Sequence, residues 1–297
     1  MEPRDLLSEH DRVELKDPVM IAAFRGWNDA GEAASFASSH LAREWSASRF
    51  ATIDPEEFYD FQDVRPQVEL EGGLTRKIVW PSNEFWAARR PERDVILLVG
   101  TEPNTHWRTF CDVIVSLAHD YDVKLVITLG ALLADIPHSR PVHITGTAAD
   151  GALVERLGLQ RSRYEGPTGI VGVLHNAFAT EGIDSASLWA AVPHYLAVSP
   201  NPKAALALVK KTTELIAVPA AASDLEDATA VYEERVTEMV AADEDVQHYV
   251  HILEERSDER EQESFEGPIE ENEIPTGDAL AAELENYLRD HREGNSS

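Results

Sequence analysis

At 297 residues with 43% hydrophobic side chains, the chain can bury a sizeable α/β core, and none of its apolar runs approaches the ~20 residues a membrane-spanning helix needs. The formal net charge of −28 repels phosphate backbones and argues against nucleic acid as a partner. A polar start over Met1 to Asp17, with no basic and then apolar leader, and a single cysteine, Cys111, point to a reducing cytoplasm.

Pro18 to Phe24 (PVMIAAF) reads as a buried strand, and Ala30 to Ser46 has helical spacing through Ala33, Phe36, Ala37, Leu41 and Trp45. Gln67 to Trp80 reads as an antiparallel hairpin turning at Glu71-Gly72-Gly73. Asp94 to Val99 is a second buried strand, followed by a helix over Trp107 to Tyr121 that holds Cys111 as a small core residue. Val123 to Leu129 is a third strand, Arg140 to Gly146 an edge strand, and Ala148 to Leu157 a short helix. Gly169 to Asn176 mixes glycine with apolar residues and receives no assignment. Ser187 to Val192 (SLWAAV) is another strand, and Pro202 to Ile216 is an amphipathic helix with proline in its first turn. Buried strands alternating with helices predict a three-layer α/β/α core with a mostly parallel sheet over residues 1–220.

Beyond that core the chain turns acidic. From Ser223 onward there are 24 acidic and five basic residues, which accounts for −19 of the net charge. Ser223-Asp224-Leu225-Glu226 has the spacing of a capping box and opens the first helix of a hairpin over residues 221–256. Residues 257–275 read as an acidic linker. Residues 276–297 hold a short amphipathic helix over Asp278 to His291, with Leu280, Leu284, Tyr287 and Leu288 on one stripe.

In a parallel sheet, ligands bind beyond the carboxyl ends of the strands. The loops that follow the expected strands bring Trp27, Asn28, Asp29 and Glu32; then Glu102; then His138 and Arg140; then His194 and Tyr195. These nine residues form the candidate ligand or partner site. Asp29 with Glu32 fits a capping box, and capping alone accounts for both carboxylates better than an anion site at the helix start does. His138 and Arg140 fit equally well beside a ligand or in a loop where Arg140 pairs with a carboxylate. For His194, a ring hydrogen-bonded to backbone is the simpler reading. His248 and His251 share a helix side without a third ligand, so no metal is expected, and no cofactor. The chain has no Walker A loop, no G-x-S-x-G elbow, no H-E-x-x-H and no paired C-x-x-C, and no residue is assigned a catalytic role.

GWNDAGEAAS (Gly26 to Ser35), ADIPHSRP (Ala134 to Pro141), YEGPTGIVGVL (Tyr164 to Leu174) and WAAVPHYLAVSPNPKAALAL (Trp189 to Leu208) resemble the proteasome assembly chaperone 2 family, in particular its bacterial members. The resemblance covers Pro18 to Val218 and continues into the helical tail. It implies a phosphorylase/hydrolase-like α/β core, protein binding as a homo-oligomer with a trimer favoured, and proteasome subunits as partners. Relatives that dock on proteasome α-rings often end in a hydrophobic-tyrosine-any-residue tail, whereas this chain ends Gly294-Asn295-Ser296-Ser297. The resulting expectation is a non-catalytic protein-interaction role. The alternative is a small-molecule-binding protein or enzyme of the nucleoside phosphorylase or hydrolase type, using the strand-end loops.

Overall fold

In the computed structural model, residues 3–71, 75–148, 151–159, 165–196 and 198–266 are described. The strands are β1 (Leu7–Glu9), β2 (Val19–Arg25), β3 (Ser48–Ile53), β4 (Gln67–Glu71), β5 (Thr75–Val79), β6 (Asn83–Ala88), β7 (Val95–Thr101), β8 (Leu125–Ala134), β9 (Ile144–Ala148) and β10 (Asp184–Pro193). The helices are α1 (Ala33–Glu44), α2 (Trp107–Asp120), α3 (Gly151–Leu157), α4 (Ile170–Thr180), α5 (Pro202–Ile216), α6 (Ser223–Ala241) and α7 (Glu244–Glu266).

Eight strands form one sheet in the order β1-β3-β6-β7-β2-β8-β10-β9, and β4 pairs with β5 in a separate ribbon. The central four, β7, β2, β8 and β10, run parallel. On both margins the pairing is antiparallel. The expected parallel sheet is therefore the heart of a mixed one, with β9 as the edge strand.

β2 shows why the layers form. Its residues Val19 to Phe24 are all fully buried, and their alternation divides them between two cores. Val19, Ile21 and Ala23 face a cluster with Ala37 and Leu41 of α1 and Leu208 of α5. Met20, Ala22 and Phe24 face one with Phe110 and Ile114 of α2 and Leu174 of α4. A continuous apolar run is what a strand covered on both sides requires. At ~25 cal/mol per Å² of apolar surface, burial of these two faces dominates the folding energy.

Several elements depart from the sequence expectation: it contains neither β3 nor β6, and the edge strand β9 and helix α3 begin at Ile144 and Gly151 and not at Arg140 and Ala148. The stretch left unassigned at Gly169 to Asn176 is the start of α4, whose Ile170, Val171, Leu174 and Phe178 recur at helical spacing and are buried. Ser223 opens α6 as expected, but no side chain caps that helix, and the cap position falls on Ala222. Helix α7 continues through Glu266, past the expected start of the acidic linker at Ser257. The intervening Glu, Arg and Gln residues are good helix formers, and the first breakers are Gly267 and Pro268. A first compact unit spans Met1–Glu254, with α6 packed on α5, and a second begins at Glu255. The turn at Gly72-Gly73 and the helix expected over Asp278 to His291 lie outside the described residues.

Candidate site at the strand-end rim

Because β7, β2, β8 and β10 are parallel neighbours, the loops after Arg25, Thr101, Ala134 and Pro193 leave the sheet at one rim. All nine candidate residues lie on it, in two groups.

The first group centres on Glu102. Its carboxylate accepts from the Trp27 backbone N–H at 3.2 Å, from Asn28 Nδ2 at 2.9 Å and from the Ile170 N–H at 2.8 Å. Ile170 is the first residue of α4, so the chain's own carboxylate sits where that helix end would attract an anion. The approach is close enough to demand glycine on two sides. A Cβ at Gly26, which has φ +130°, would lie 3.0 Å from Glu102 Cβ, and one at Gly169 would lie 2.4 Å from the Asn28 amide. Asn28 is buried, its backbone carbonyl accepts from the Ala131 N–H at 2.8 Å, and its Oδ1 has no hydrogen-bond partner among the described residues.

Asp29 caps α1, but not through a capping box. A short 3-10 turn over Ala30–Glu32 separates it from the helix, so Oδ1 accepts from the Ala34 and Ser35 N–H groups at 2.7 and 3.2 Å. Glu32 has left-handed backbone at φ +51° and accepts from Ser199 Oγ at 2.8 Å instead of reaching back to Asp29. Burial pushes the Asp29 carboxyl above its ordinary value, against the pull of its hydrogen bonds at Ser35 and Ala34.

The second group joins the loops after β8 and β10 to the last helices. The Tyr195 hydroxyl oxygen accepts from the His138 N–H at 2.7 Å, and the hydroxyl meets His138 Nδ1 at 2.9 Å. His194 Nδ1 lies 2.9 Å from Asp135. The rings of His194, Tyr195 and Tyr249 meet edge to face with centroids 5.6–6.1 Å apart. Lys203 Nζ donates to the His138 carbonyl at 2.5 Å and pairs with Glu233 at 2.7 Å, while Arg140 lies 3.7 Å from Glu254. Burial, followed by the Lys203 charge, lowers the His138 pKa, with Glu254 and Glu233 acting in the opposite direction. Burial also pushes Tyr195 up to about 12. Between these loops and α6 is a shallow dent with room for little more than a water molecule, lined by His138, Arg140, Pro193, Lys203 and Tyr232.

The two groups are stitched together, since Asn201 N–H donates to the Gly31 carbonyl at 2.7 Å and Asn201 Nδ2 to the Tyr232 hydroxyl at 3.0 Å. Asn201, Lys203, Glu233 and Glu254 are absent from the sequence-derived site. The Pro-Lys start of α5 marks a helix end, but nothing local in the sequence announces its carboxylate partners, which lie far along the chain. Cys111 is buried in α2, and burial pushes its thiol up to about 12, which suits packing and not nucleophilic chemistry. Among the described residues, no group of three or more His, Cys, Asp or Glu side chains could hold a metal ion.

The fold is thus a three-layer α/β/α protein whose strand-end rim is tied up by its own polar groups. The profile of the PAC2 family matches residues 23–240, and the chain belongs to that family. It is similar to a PAC2 family protein from Streptomyces avermitilis, with 46% identity over 79% of this chain and 100% of that one and a TM-score of 0.74. It is also similar to a Mycobacterium tuberculosis proteasome-assembly chaperone homologue, with 44% identity over 78% and 99% of the two chains and a TM-score of 0.72. The archaeal proteasome activator PbaB from Pyrococcus furiosus shares the fold at 20% identity, 78% and 97% coverage and a TM-score of 0.65. No curated protein matches the chain.

Proposed function

We propose that this protein is a non-catalytic, cytoplasmic interaction protein of the proteasome-assembly-chaperone type, which works as a homo-oligomer and has proteasome subunits as partners. The kinship to a proteasome-assembly chaperone homologue supports the class of partner. The observation that carries the reading is the state of the rim. Glu102 fills the N-terminus of α4, Glu233 and Glu254 pair with Lys203 and Arg140, and His138 is held by Tyr195. These are the groups a small anionic substrate would need, and the chain engages them itself. Along the same rim, Trp27, Leu132 and Leu133 stand exposed. Such groups are available to a protein partner, whose contact would take them out of water. No helix among the described residues is long and apolar enough to cross a membrane.

The test is affinity purification of the chain expressed at its native level, with and without Trp27→Asp and Leu133→Asp. Proteasome subunits or assembly intermediates are expected with the wild type, and depleted at least tenfold with the double variant. A wild-type eluate without any proteasome subunit overturns the proposed partner. Equal recovery with both chains overturns the proposed docking surface.

A further inference from the structure

Helix α7 differs from the other long helices in how it is held. Residues Glu244 to Glu254 belong to the compact unit that contains the sheet. Helix α5 packs along α1, and α6 along α5, whereas α7, among the described residues, packs closely along no other helix or strand. It lies instead over the loops after β8 and β10. Val246, Tyr249, Val250 and Leu253 recur at helical spacing on its inner side, with Val250 5% exposed and Leu253 2%. Glu244, Asp245, Gln247, His248 and His251 all stand exposed.

The inner stripe closes a small core that is separate from the two flanking the sheet. Leu196, Tyr232, Val236, Val240 and Val250 form it, with Tyr195, Val198 and Val246 at its margin. Only the two valines Val246 and Val250 come from α7; the others belong to α6 and the loop after β10. The rest of the grip is polar and near the surface. The Tyr249 ring meets those of His194 and Tyr195 edge to face, with centroids 5.6 and 6.1 Å apart, and its hydroxyl donates to Asp135 at 3.4 Å. Glu254 accepts from Ser139 Oγ and lies 3.7 Å from Arg140. Partly exposed ion pairs of this kind hold an element only weakly.

We infer that residues 244–254 of α7 are a strap that opens without unfolding the sheet, and that the apolar groove beneath accepts an amphipathic helix of a protein partner in the strap's place. Few buried apolar residues and few close neighbours are what set the free energy of a local opening below that of global unfolding. Opening uncovers Tyr195, Leu196, Val198, Val236 and Val240. What the groove already seats defines its occupant: a helix with apolar residues at i, i+3, i+4 and i+7, followed directly by a carboxylate that meets Ser139 and Arg140. A partner helix of that pattern competes for the same contacts. The strap gates access, because the partner's apparent affinity is scaled by the fraction of chains that are open. The groove also adjoins exposed Leu132 and Leu133, since Asp135, which Tyr249 reaches, directly follows β8. The strap goes beyond the proposed function, and its readouts involve no proteasome subunit, so the two fail separately.

Hydrogen exchange on the full chain, read by mass spectrometry, tests the strap. Amides of residues 247–254 are expected to exchange about tenfold faster than those of residues 229–240 in α6, although both segments are helical. Equal protection overturns the strap, because α7 then opens only together with the core. Glu254→Gln is expected to raise exchange in α7 severalfold and nowhere else; no rise, or a rise shared by α5 and β10, overturns it too. Tyr249→Ala/Leu253→Ala is expected to strip protection from α7 while α5 and β10 keep theirs, and loss throughout the chain makes α7 an integral part of the fold. The groove is tested by fluorescence anisotropy with a fluorescein-labelled peptide of residues 243–254. The peptide is expected to bind the double variant about tenfold more tightly than the wild type, whose own strap competes. The same peptide with its tyrosine and second leucine-stripe residue, Tyr249 and Leu253, changed to alanine is expected to bind neither chain. Absence of binding to a variant whose α7 has lost its protection overturns the helix-accepting groove, and equal binding of the two peptides overturns the role of the apolar stripe.

Discussion

His138 is buried, neutral and fastened to Tyr195, and its pKa is lowered from the usual 6.5 by burial and by Lys203. The unfolded chain takes up a proton at this ring near pH 6.5, whereas the folded chain does so only at lower pH. The stabilisation is fully present above pH 6.5 and is lost as the pH falls from there through the folded value. His175, also lowered by burial, acts in the same sense. Urea unfolding at pH 7.5 and 5.5 should show the wild type losing more stability on acidification than His138→Asn does. An equal loss would remove His138 as the source. Asp29 works the other way, since its raised pKa means that ionisation at neutral pH costs part of what its two backbone hydrogen bonds contribute.

Among the elements, α4 is tied to the sheet from its first residue. Glu102, just past β7, holds the N-terminus of α4 and the loop after β2 at once. Glu102→Ala leaves those donors without their acceptor and is expected to lower unfolding free energy by about 2 kcal/mol in urea titration. Glu102→Gln keeps an acceptor oxygen and should cost about half as much. An Ala variant as stable as the wild type would mean that water replaces the carboxylate. Helix α4 is also where the sequence was least legible, because Gly169 and Gly172 lower its helical signal. Gly169 is needed to admit the Asn28 amide, and at Gly172 a Cβ would lie 2.0 Å from Thr168 Oγ1. The strands of the parallel heart were legible because burial on both faces leaves an unbroken apolar run. β3 (SRFATI) and β6 (NEFWAA) escaped notice because they interleave polar and apolar residues over only six positions. For the site, local sequence was enough to nominate residues at strand ends, since parallel neighbours necessarily share a rim. The partners of Arg140 and Lys203 were not legible, because an ion pair between residues far apart leaves no local trace.

For the whole molecule, a net charge of −28 on each copy opposes the assembly of the proposed homo-oligomer. An exposed ion pair between copies is worth only about 0–1 kcal/mol and does little to offset that repulsion. Salt screens both effects, with a Debye length near 10 Å at 0.1 M. The oligomeric fraction should therefore rise severalfold between 20 mM and 300 mM NaCl by light scattering. A fall would mean that ionic attraction dominates the interface. Cys111 has a practical bearing on all of these measurements. With its sole thiol shut inside α2 and held protonated, the native fold offers alkylating reagents nothing to react with. A cysteine introduced at the exposed Val231 would then be the one labelling site, and a fluorophore there would report the distance between subunits of the proposed oligomer directly, without first engineering out the native residue.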